Sequence, residues 1–443
     1  MENLENLLKS LAKTGTNSQE LKKISNSLKE DIKKNKSIDD ILNEIIQNIN
    51  EATKQFLYAK NEYGIKYITG ISSSIYIPSF DDSGEIKLSL CGGDRSRIDD
   101  ENKINIDTMF DVASITKLFT LVLTFKLAEL NIINLNDKIV DINPDFKGLE
   151  DFTFNDLIKL HGQIYTNDNI ANAKNEQEAY EMLKTAWLKD NNKNTNKYTD
   201  FGAIIIGKTL EKIMSERENR NVTLQELMDK YIFSKINMKK TMFNPITYNI
   251  SGNGGYTTHV HDPKSYKLGG IVGSAGLFTT SDDLCKFAKG MFKINYINLN
   301  KLESIISRSN LIRLGQITYP NSDISYKGNL GVFVKNSQGL GLTYTSNLLS
   351  NNSFSHQGWV GSVASFDPNN LIHFNGLVNA IYETDDKSKL KNDKPIGYKD
   401  RWIKYQKEVI NNAMLLMIAK KYFNMYKDVK IEINETINYN KKS

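Results

Sequence analysis

The sequence predicts an α/β fold in which one β-sheet is built from distant parts of the chain. Strand signals lie near both ends: residues 71–77 alternate weakly, and short β-type runs occupy residues 362–366 and 373–378. The middle, about residues 134–240, alternates loops and helices with little strand signal. Because strands from both ends must share one core, this order predicts a single sheet with a helical domain inserted between its halves.

The strand runs at each end can be placed more closely. A turn at Asp81 to Gly84 separates residues 71–77 from residues 85–91, which is the pattern of a hairpin. Near the other end, residues 331–335 and 339–343 add two more short β-type runs.

Helical signals occupy three other parts of the chain. Up to about Leu57, apolar residues recur at steps of three and four among many charges, which predicts short amphipathic helices. We interpret them as a brace packing on the main domain, with a partner-binding module as the alternative. Further helices are predicted over residues 108–133 and about 405–425.

These patterns divide the chain into three parts. Residues 1–57 are an N-terminal helical extension, residues 58–426 the main domain, and residues 427–443 a polar tail. Within the main domain, a helical subdomain covers about residues 134–245.

Composition excludes several classes of protein. Over 443 residues, 40% are hydrophobic and 25% charged, as in an ordinary globular protein. The net charge of +5 comes without a basic stripe, so no nucleic-acid partner is predicted. Cys91 and Cys285 have no disulfide-framework or zinc spacing. The N-terminus lacks a basic region followed by an apolar one, and no stretch reaches about 18 apolar residues, which predicts no membrane span and a cytoplasmic location.

The first candidate for catalysis is the run Ser114-Ile115-Thr116-Lys117. A serine hydroxyl needs an adjacent base to act as a nucleophile, and positions i and i+3 share one face of a helix. A lysine serves as that base only if burial and neighbouring charges lower its pKa towards neutrality. Apolar neighbours on both sides favour burial, but this spacing alone is weak, since Ser10 to Lys13 and Ser388 to Lys391 repeat it.

Two further segments carry candidate residues. In Tyr198-Thr199-Asp200, the phenol of Tyr198 can relay a proton and Asp200 can bind a lysine or a substrate amide. In His356-Gln357-Gly358-Trp359, glycine allows a substrate backbone to approach, and backbone N–H groups can help form an oxyanion hole. Each segment taken alone is equally consistent with a structural role.

Together, and in this order, the three segments resemble the SxxK, YxN and KTG-type motifs of serine β-lactamases and penicillin-binding proteins. The most similar group is that of class C β-lactamase-related serine hydrolases, which includes esterases and D-amino-acid peptidases. Residues 107–113, 238–243 and 269–284 also resemble family segments, so the resemblance spans about residues 71–422. It implies a β-lactamase/transpeptidase-like fold, with a mainly antiparallel sheet flanked by helices and a helical domain covering the site.

The resemblance also implies a role for each matching residue. Ser114 is acylated, Lys117 and Tyr198 share the proton transfers, and Asp200 orients them. The backbone N–H groups of Ser114 and Trp359 form the oxyanion hole, while His356 and Gly358 line the cleft.

Several residues depart from the family pattern. His356 and Gln357 stand where the family usually has Lys and Thr, which weakens carboxylate recognition and favours esters or amides over β-lactams. Asp200 replaces Asn, and its charge would repel an anionic substrate and help keep Lys117 protonated. Leu160-His161-Gly162 replaces a family segment at another wall of the site.

The sequence therefore predicts a cofactor-free serine hydrolase acting on a small-molecule or peptide ester or amide. The alternatives are a penicillin-binding D,D-peptidase or β-lactamase, and a catalytically silent binding or sensing protein with a partner on its N-terminal helices. A metal site at His259 and His261 is not predicted, because no third ligand has a convincing spacing.

Overall fold

The computed structural model describes twelve stretches of the chain. They are residues 2–78, 84–96, 103–160, 162–189, 198–246, 250–251, 259–292, 305–315, 333–334, 349–350, 352–381 and 387–423. The predicted turn at residues 81–83, His161, the run at residues 339–343 and the tail at residues 427–443 lie outside them.

Helices are the commonest elements of the described chain. The α-helices are α1 Glu2–Lys13, α2 Ser18–Lys33, α3 Ile38–Tyr58, α4 Thr116–Glu129, α5 Ile139–Ile142, α6 Phe154–Leu157, α7 Glu176–Lys184, α8 Phe201–Glu218, α9 Leu224–Met228, α10 Pro263–Lys267, α11 Ser281–Phe292, α12 Arg308–Gly315 and α13 Tyr398–Tyr422. Short 3₁₀ turns cover Ala113–Ile115, Pro144–Leu149, Ile170–Asn172, Ser234–Ile236 and Lys387–Lys389, and Asp229–Phe233 is a π-helical turn.

The strands form one large sheet and three small ones. In chain order they are β1 Gly70–Ile77, β2 Ile86–Gly93, β3 Met109–Asp111, β4 Ile164–Tyr165, β5 Trp187–Leu188, β6 Met242–Phe243, β7 Ile250–Ser251, β8 Leu277–Thr279, β9 Phe333–Val334, β10 Phe354–Gln357, β11 Val363–Asp367, β12 Ile372–Val378, β13 Leu390–Lys391 and β14 Lys394–Pro395. The large sheet has the order β2-β1-β12-β11-β10-β9, and all of its neighbouring strands are antiparallel. Strands from both ends of the chain therefore meet at β1 and β12, as the sequence predicts.

The two faces of the large sheet bury different cores. Alternate residues of β1 separate them, with Ile71, Ile75 and Ile77 on one face and Tyr76 on the other, because side chains along a strand point alternately to opposite sides. The first face packs against helices α3 and α13, and α1 and α2 pack in turn on α13 within the same core. The second packs against α11 and belongs to the core that contains α4 and α8.

The N-terminal segment forms three helices, which confirms the prediction of amphipathic helices before Leu57. Helix α3 lies along α13, where Phe56 stacks on Trp402 and Tyr405 with ring centroids 5.1 and 5.0 Å apart. Asn17 and Ser37 cap α2 and α3 by accepting backbone N–H groups. These helices thus cover one face of the sheet, as a brace would. The division of the chain into domains stays a prediction.

Two predicted helix boundaries are wrong. Residues 109–111 are a strand rather than the start of a helix, because β3 pairs with β7 and with β8 in a four-stranded sheet of order β6-β8-β3-β7. Helix α4 begins only at Thr116. At the other end, α13 begins at Tyr398 rather than near residue 405, after Gly397, whose φ of 87° lies in the left-handed region.

Two further observations concern the whole described chain. Within the stretches given above, no helix combines the length and the apolar character needed to cross a bilayer. Cys91 and Cys285 are both buried and both free thiols.

Candidate active site

Ser114 lies in a tight turn between strand β3 and helix α4. The strand ends at Asp111, and Ala113–Ile115 forms a 3₁₀ turn that leads directly into the helix. Ala113 has a φ of 44°, a left-handed conformation that is uncommon for a residue other than glycine. The Asp111 carboxylate supports this turn by accepting the Ala113 N–H at 2.7 Å. The turn leaves Ser114 half-buried, while its neighbours Ala113 and Ile115 are buried.

Lys117 is fully buried, and its amine contacts three acceptors. Nζ lies 2.8 Å from Ser114 Oγ, 2.9 Å from the Ser274 carbonyl oxygen and 2.8 Å from Asp200 Oδ1. A protonated lysine has three N–H donors and no acceptor, so these three contacts match the ammonium form. The ammonium form of Lys117 can therefore satisfy all three contacts as a donor.

The charges around Lys117 point the same way. Burial disfavours a charged amine, but Asp200 and Tyr198 together outweigh burial, and the pKa of Lys117 is raised above its usual value. Burial likewise opposes ionisation of Asp200, yet the nearby Lys117 and Lys264 ammonium groups lower its pKa. The expectation of a base with a lowered pKa is therefore wrong for the resting site, whereas the expectation that Asp200 keeps Lys117 protonated agrees with it.

Asp200 stands at the N-cap position of α8, but its side chain does not cap the helix. It precedes α8, where Asp commonly accepts an N–H of the first turn, but its side chain makes no such cap bond. Its carboxylate instead joins two lysines, with Oδ1 2.8 Å from Lys117 Nζ and Oδ2 2.8 Å from Lys264 Nζ. The negative charge is thus paired on both oxygens, which removes the basis for expecting it to repel an anionic substrate.

Half-buried Tyr198 and buried His356 lie beside the lysine. The Tyr198 ring centroid lies 5.1 Å from Lys117 Nζ and 6.3 Å from the His356 ring. Burial raises the pKa of the Tyr198 phenol more than Lys117 lowers it. Burial, with help from the Lys117 charge, lowers the pKa of His356 to about 3. The imidazole is therefore neutral at physiological pH.

The third motif is a hairpin turn rather than one continuous strand. His356 and Gln357 end β10, and Gly358 donates its N–H to the Ser362 carbonyl at 2.8 Å before β11 begins at Val363. Gly358 packs against the nucleophile turn so closely that a Cβ would lie 2.5 Å from the Val112 carbonyl oxygen. Only glycine allows this approach, which brings the motif against the residues preceding Ser114.

Trp359 extends from this hairpin towards solvent. Its side chain is 51% exposed, and the Lys394 ammonium lies 4.3 Å from the ring centroid. This is an apolar surface beside the Gly358 contact, suited to a ligand with an apolar group.

The structure brings Ser114, Lys117, Tyr198, Asp200 and His356 into one cluster. Gly358 touches that cluster through the backbone of Val112. The oxyanion-hole roles of the Ser114 and Trp359 N–H groups stay predictions.

The structure also adds contacts that sequence reasoning missed. Ser274 supplies a carbonyl to Lys117, and Lys264 pairs with Asp200. The preceding Gly273 fits so tightly that a Cβ would lie 2.1 Å from the Ala203 carbonyl oxygen. Lys264 carries one sequence signal: it follows Asp262 and Pro263, which mark a helix start, where a basic residue opposes the helix dipole.

The two histidines near Lys264 have separate partners. His261 lies against Asp111. Its backbone N–H donates to Asp111 Oδ2 at 2.8 Å, and its ring Nδ1 lies 2.7 Å from the same oxygen. The His259 ring lies 5.4 Å from the Tyr266 ring. His261 thereby ties the loop before α10 to the carboxylate that supports the nucleophile turn.

Comparisons with known proteins bear on the family and the fold of the chain. The family model described as Beta-lactamase matches residues 84–396. A putative D-alanyl-D-alanine carboxypeptidase of Salmonella gallinarum is 24% identical over 305 residues, covering 60% of this chain and 67% of the relative. Among solved structures, a penicillin-binding protein homolog from Caulobacter crescentus has a TM-score of 0.59 at 13% identity, covering 83% of this chain and 97% of its own.

A second solved structure adds another member of the same fold. It is a family VIII carboxylesterase with a TM-score of 0.57 at 15% identity, covering 82% of this chain and 97% of its own. At such identities the structural likeness establishes the fold alone. The predicted fold class, a β-lactamase/transpeptidase-like arrangement of an antiparallel sheet and helices, is confirmed.

Proposed function

The chain belongs to the beta-lactamase family, and from that premise we propose that it is a serine hydrolase that cleaves an ester or amide through an acyl-enzyme on Ser114. The observation that carries the proposal is the 2.8 Å contact between Ser114 Oγ and the buried Lys117 Nζ. A half-buried hydroxyl beside a buried amine is the pairing that nucleophilic catalysis requires.

Acylation begins with attack of Ser114 Oγ on the substrate carbonyl carbon. The serine proton passes to Lys117 or to Tyr198, which face the same oxygen, and returns to the leaving group as the tetrahedral intermediate collapses. Water then attacks the acyl-enzyme with the same groups acting in reverse. The backbone N–H groups of Ser114 and Trp359 stabilise the oxyanion in this scheme.

The resting charge of Lys117 determines how the rate depends on pH. An ammonium cannot accept the serine proton, so the reactive form is the minor species with a neutral amine. Since the pKa of Lys117 is raised, that species grows about tenfold for each pH unit through the neutral range. We therefore expect kcat/KM to rise with pH without a plateau at neutrality.

The state of His356 supports an ester or amide substrate over a β-lactam. A carboxylate on the substrate needs a cation, and the neutral, buried imidazole of His356 does not supply one. Exposed Trp359, in the turn that follows β10, suits an apolar acyl or leaving group. We propose a small-molecule or peptide ester or amide of this kind, without a cofactor.

A D,D-peptidase is the second candidate, because a relative covering 60% of this chain is named a putative D-alanyl-D-alanine carboxypeptidase. Pairing of Asp200 with two lysines supports this alternative, since it removes an unpaired negative charge from the site. A silent binding protein that keeps the cleft is the third.

One labelling experiment separates the three. The purified protein is treated with a fluorophosphonate and, separately, with a labelled penicillin, and each adduct is located by mass spectrometry. Fluorophosphonate on Ser114 with rapid turnover of p-nitrophenyl esters is expected for the proposed hydrolase. Penicillin on Ser114 with slow release would instead favour the D,D-peptidase. Absence of both adducts would favour the silent protein, and an adduct on another serine would refute the mechanism.

The chain offers matched controls for this test. Ser10 and Ser388 are exposed, and each stands three residues before a lysine, as Ser114 does. Ser114→Ala should lose labelling and at least about 10³-fold of the esterase activity. Ser10→Ala and Ser388→Ala should retain both.

A further inference from the structure

The Asp200 carboxylate is shared between two cations of different accessibility. Lys117 on its Oδ1 side is 0% exposed, whereas the Lys264 side chain on its Oδ2 side is 26% exposed. Lys264 belongs to the short helix α10, and the Asp262 carboxylate lies 3.4 Å from its Nζ. One carboxylate thus links the buried lysine at the nucleophile to a lysine at the edge of the site.

The groups facing this chain of charges come from five elements. Tyr198 and Asp200 precede α8, His356 ends β10, Lys117 and Ser114 flank the start of α4, Ser274 precedes β8, and Asp262 and Lys264 belong to the start of α10. Among them, Lys264 is the cation placed to compete with Lys117 for Asp200. Its own pKa is raised, because Asp200 and Asp262 outweigh the effect of burial.

A carboxylate with two cationic partners stabilises each of them less than a carboxylate devoted to one. If Lys264 is absent, both the charge and the orientation of Asp200 serve Lys117 alone, and the Lys117 ammonium becomes harder to deprotonate. If Asp200 is absent, the main opposition to the effect of burial is lost, and the Lys117 ammonium becomes easier to deprotonate.

We propose that Lys264 is a positioning residue that, by holding one oxygen of Asp200, controls how readily Lys117 releases its proton and so sets the pH at which Ser114 is activated. This inference rests on the proposed function, because it needs Lys117 to act as the base for Ser114. It assigns to α10 a role in tuning the reaction without contact with the reacting atoms.

The test compares pH profiles of kcat/KM for a p-nitrophenyl ester between pH 6 and pH 10. Lys264→Met should lower kcat/KM about tenfold at pH 7 and displace the profile by about one unit to higher pH. Lys264→Arg should keep the pH profile of the parent, because arginine also places a cation beside Asp200. Lys264→Gln serves as a second neutral variant if the methionine variant does not fold.

Lys264→Met is then tested in an Asp200→Asn protein, in which Lys264 has no carboxylate at position 200 to hold. The Asp200→Asn variant alone should have a kcat/KM at pH 7 at least about tenfold above the parent, with its profile displaced to lower pH. Adding Lys264→Met to it should then change the profile much less than in the parent, because residues that act through one partner are not additive. Equal shifts in both backgrounds would show that Lys264 does not act through Asp200, and would overturn the proposal.

Lys267→Met is the matched control for the loss of charge. Lys267 lies on the same helix α10 and lines a separate cavity with His259 and Tyr266. Replacement of Lys267 should leave the pH profile unchanged. If Lys267→Met shifted the profile as much as Lys264→Met, the cause would be the loss of net charge rather than the contact with Asp200. Fluorophosphonate labelling of the parent distinguishes the failures. An unlabelled Ser114 refutes both the function and this inference, while a labelled Ser114 with an unmoved Lys264→Met profile refutes this inference alone.

Discussion

The two faces of the six-stranded sheet differ in the kind of interaction that holds their helices. On the face towards α11, Ser74 Oγ lies 2.5 Å from Ser281 Oγ, which donates to Asn375 Oδ1 at 2.8 Å. Asn375 Nδ2 in turn lies 3.1 Å from His373 Nε2. These directional bonds fix helix α11 relative to the strands on the same side as the catalytic cluster.

The opposite face is held mainly by apolar and aromatic packing. Ile71 and Ile75 of β1 lie there with Phe374 of β12, under the stacked rings of α3 and α13. Apolar burial is strong and non-directional, whereas buried hydrogen bonds are weaker in net terms but specify geometry. Both faces bury apolar cores, but the face towards α11 adds a chain of directional bonds that orients the site side of the sheet.

The largest expected effect lies on the apolar face. Phe56→Ala should lower the free energy of unfolding by about 3–5 kcal/mol, because a large buried ring is lost from an aromatic stack. Urea denaturation measures the loss. The kcat/KM of the folded fraction, counted by fluorophosphonate labelling, should stay within about twofold of the parent. A displaced pH profile in this variant would show that the two faces are coupled, and Phe56→Leu should give a smaller loss of stability.

A pair of glycine substitutions sharpens the contrast. Gly358→Ala places a methyl 2.5 Å from the Val112 carbonyl oxygen, which must push the third motif away from Ser114. We expect kcat/KM to fall about 10²-fold, as for a displacement of roughly 1 Å at a catalytic site. Gly376→Ala instead places a methyl 2.7 Å from the Trp402 ring on the apolar face.

The second glycine variant should lose about 1–3 kcal/mol of stability through overpacking and keep its kcat/KM. For both variants, kcat/KM is measured on the folded fraction and the free energy of unfolding is measured by urea denaturation. If the two variants lost activity alike, the division of roles between the faces would be wrong.

The last comparison concerns the response of stability to acid. Burial lowers the pKa of both His356 and His373 to about 3, and both belong to the site side of the sheet. The unfolded chain, in which histidine titrates near 6.5, therefore binds protons that the folded chain does not. Stability should be complete above about pH 6.5 and fall on acidification by at most about 1.4 kcal/mol per pH unit for each histidine.

His373→Gln should reduce that slope between about pH 6.5 and pH 4.5, whatever its effect on the absolute stability. Urea denaturation at several pH values measures the slope. His259→Gln, at an exposed position, should leave it as in the parent. An unchanged slope in the His373 variant would place the acid sensitivity elsewhere in the protein.

Local patterns were sufficient to predict most of the sheet. The alternation in residues 71–77 and the β-type runs at residues 362–366 and 373–378 lie within one or two residues of β1, β11 and β12. The boundary before Ser114 could not be found in this way. An apolar run such as Met109 to Val112 has the same appearance in a helix as in a strand, and pairing with β8, far along the chain, decides between them.

The sequence predicted which residues form the site but not the protonation state of Lys117. The order of the three motifs, and the family that this order resembles, predicted that Ser114, Lys117 and Tyr198 lie together, although each motif alone is weak. The proton on Lys117 depends on Asp200, Ser274 and Lys264, which come from three separate segments. Interactions between side chains so distant in sequence leave no local periodicity to read.

The pairing of β1 with β12 determines when, during synthesis of the chain, the large sheet can form. Ile71 is bonded in register to Val378, about 300 residues later, so the centre of the sheet cannot close until the second partner has been made. At the usual rates of synthesis, about 5–20 residues per second, the early hairpin waits roughly 15–60 seconds for that partner. The third motif on β10 emerges in the same late interval, just before β11 and β12. We therefore expect Ser114 to become reactive only after β10 to β12 and α13 have been synthesised and have completed both sides of the sheet.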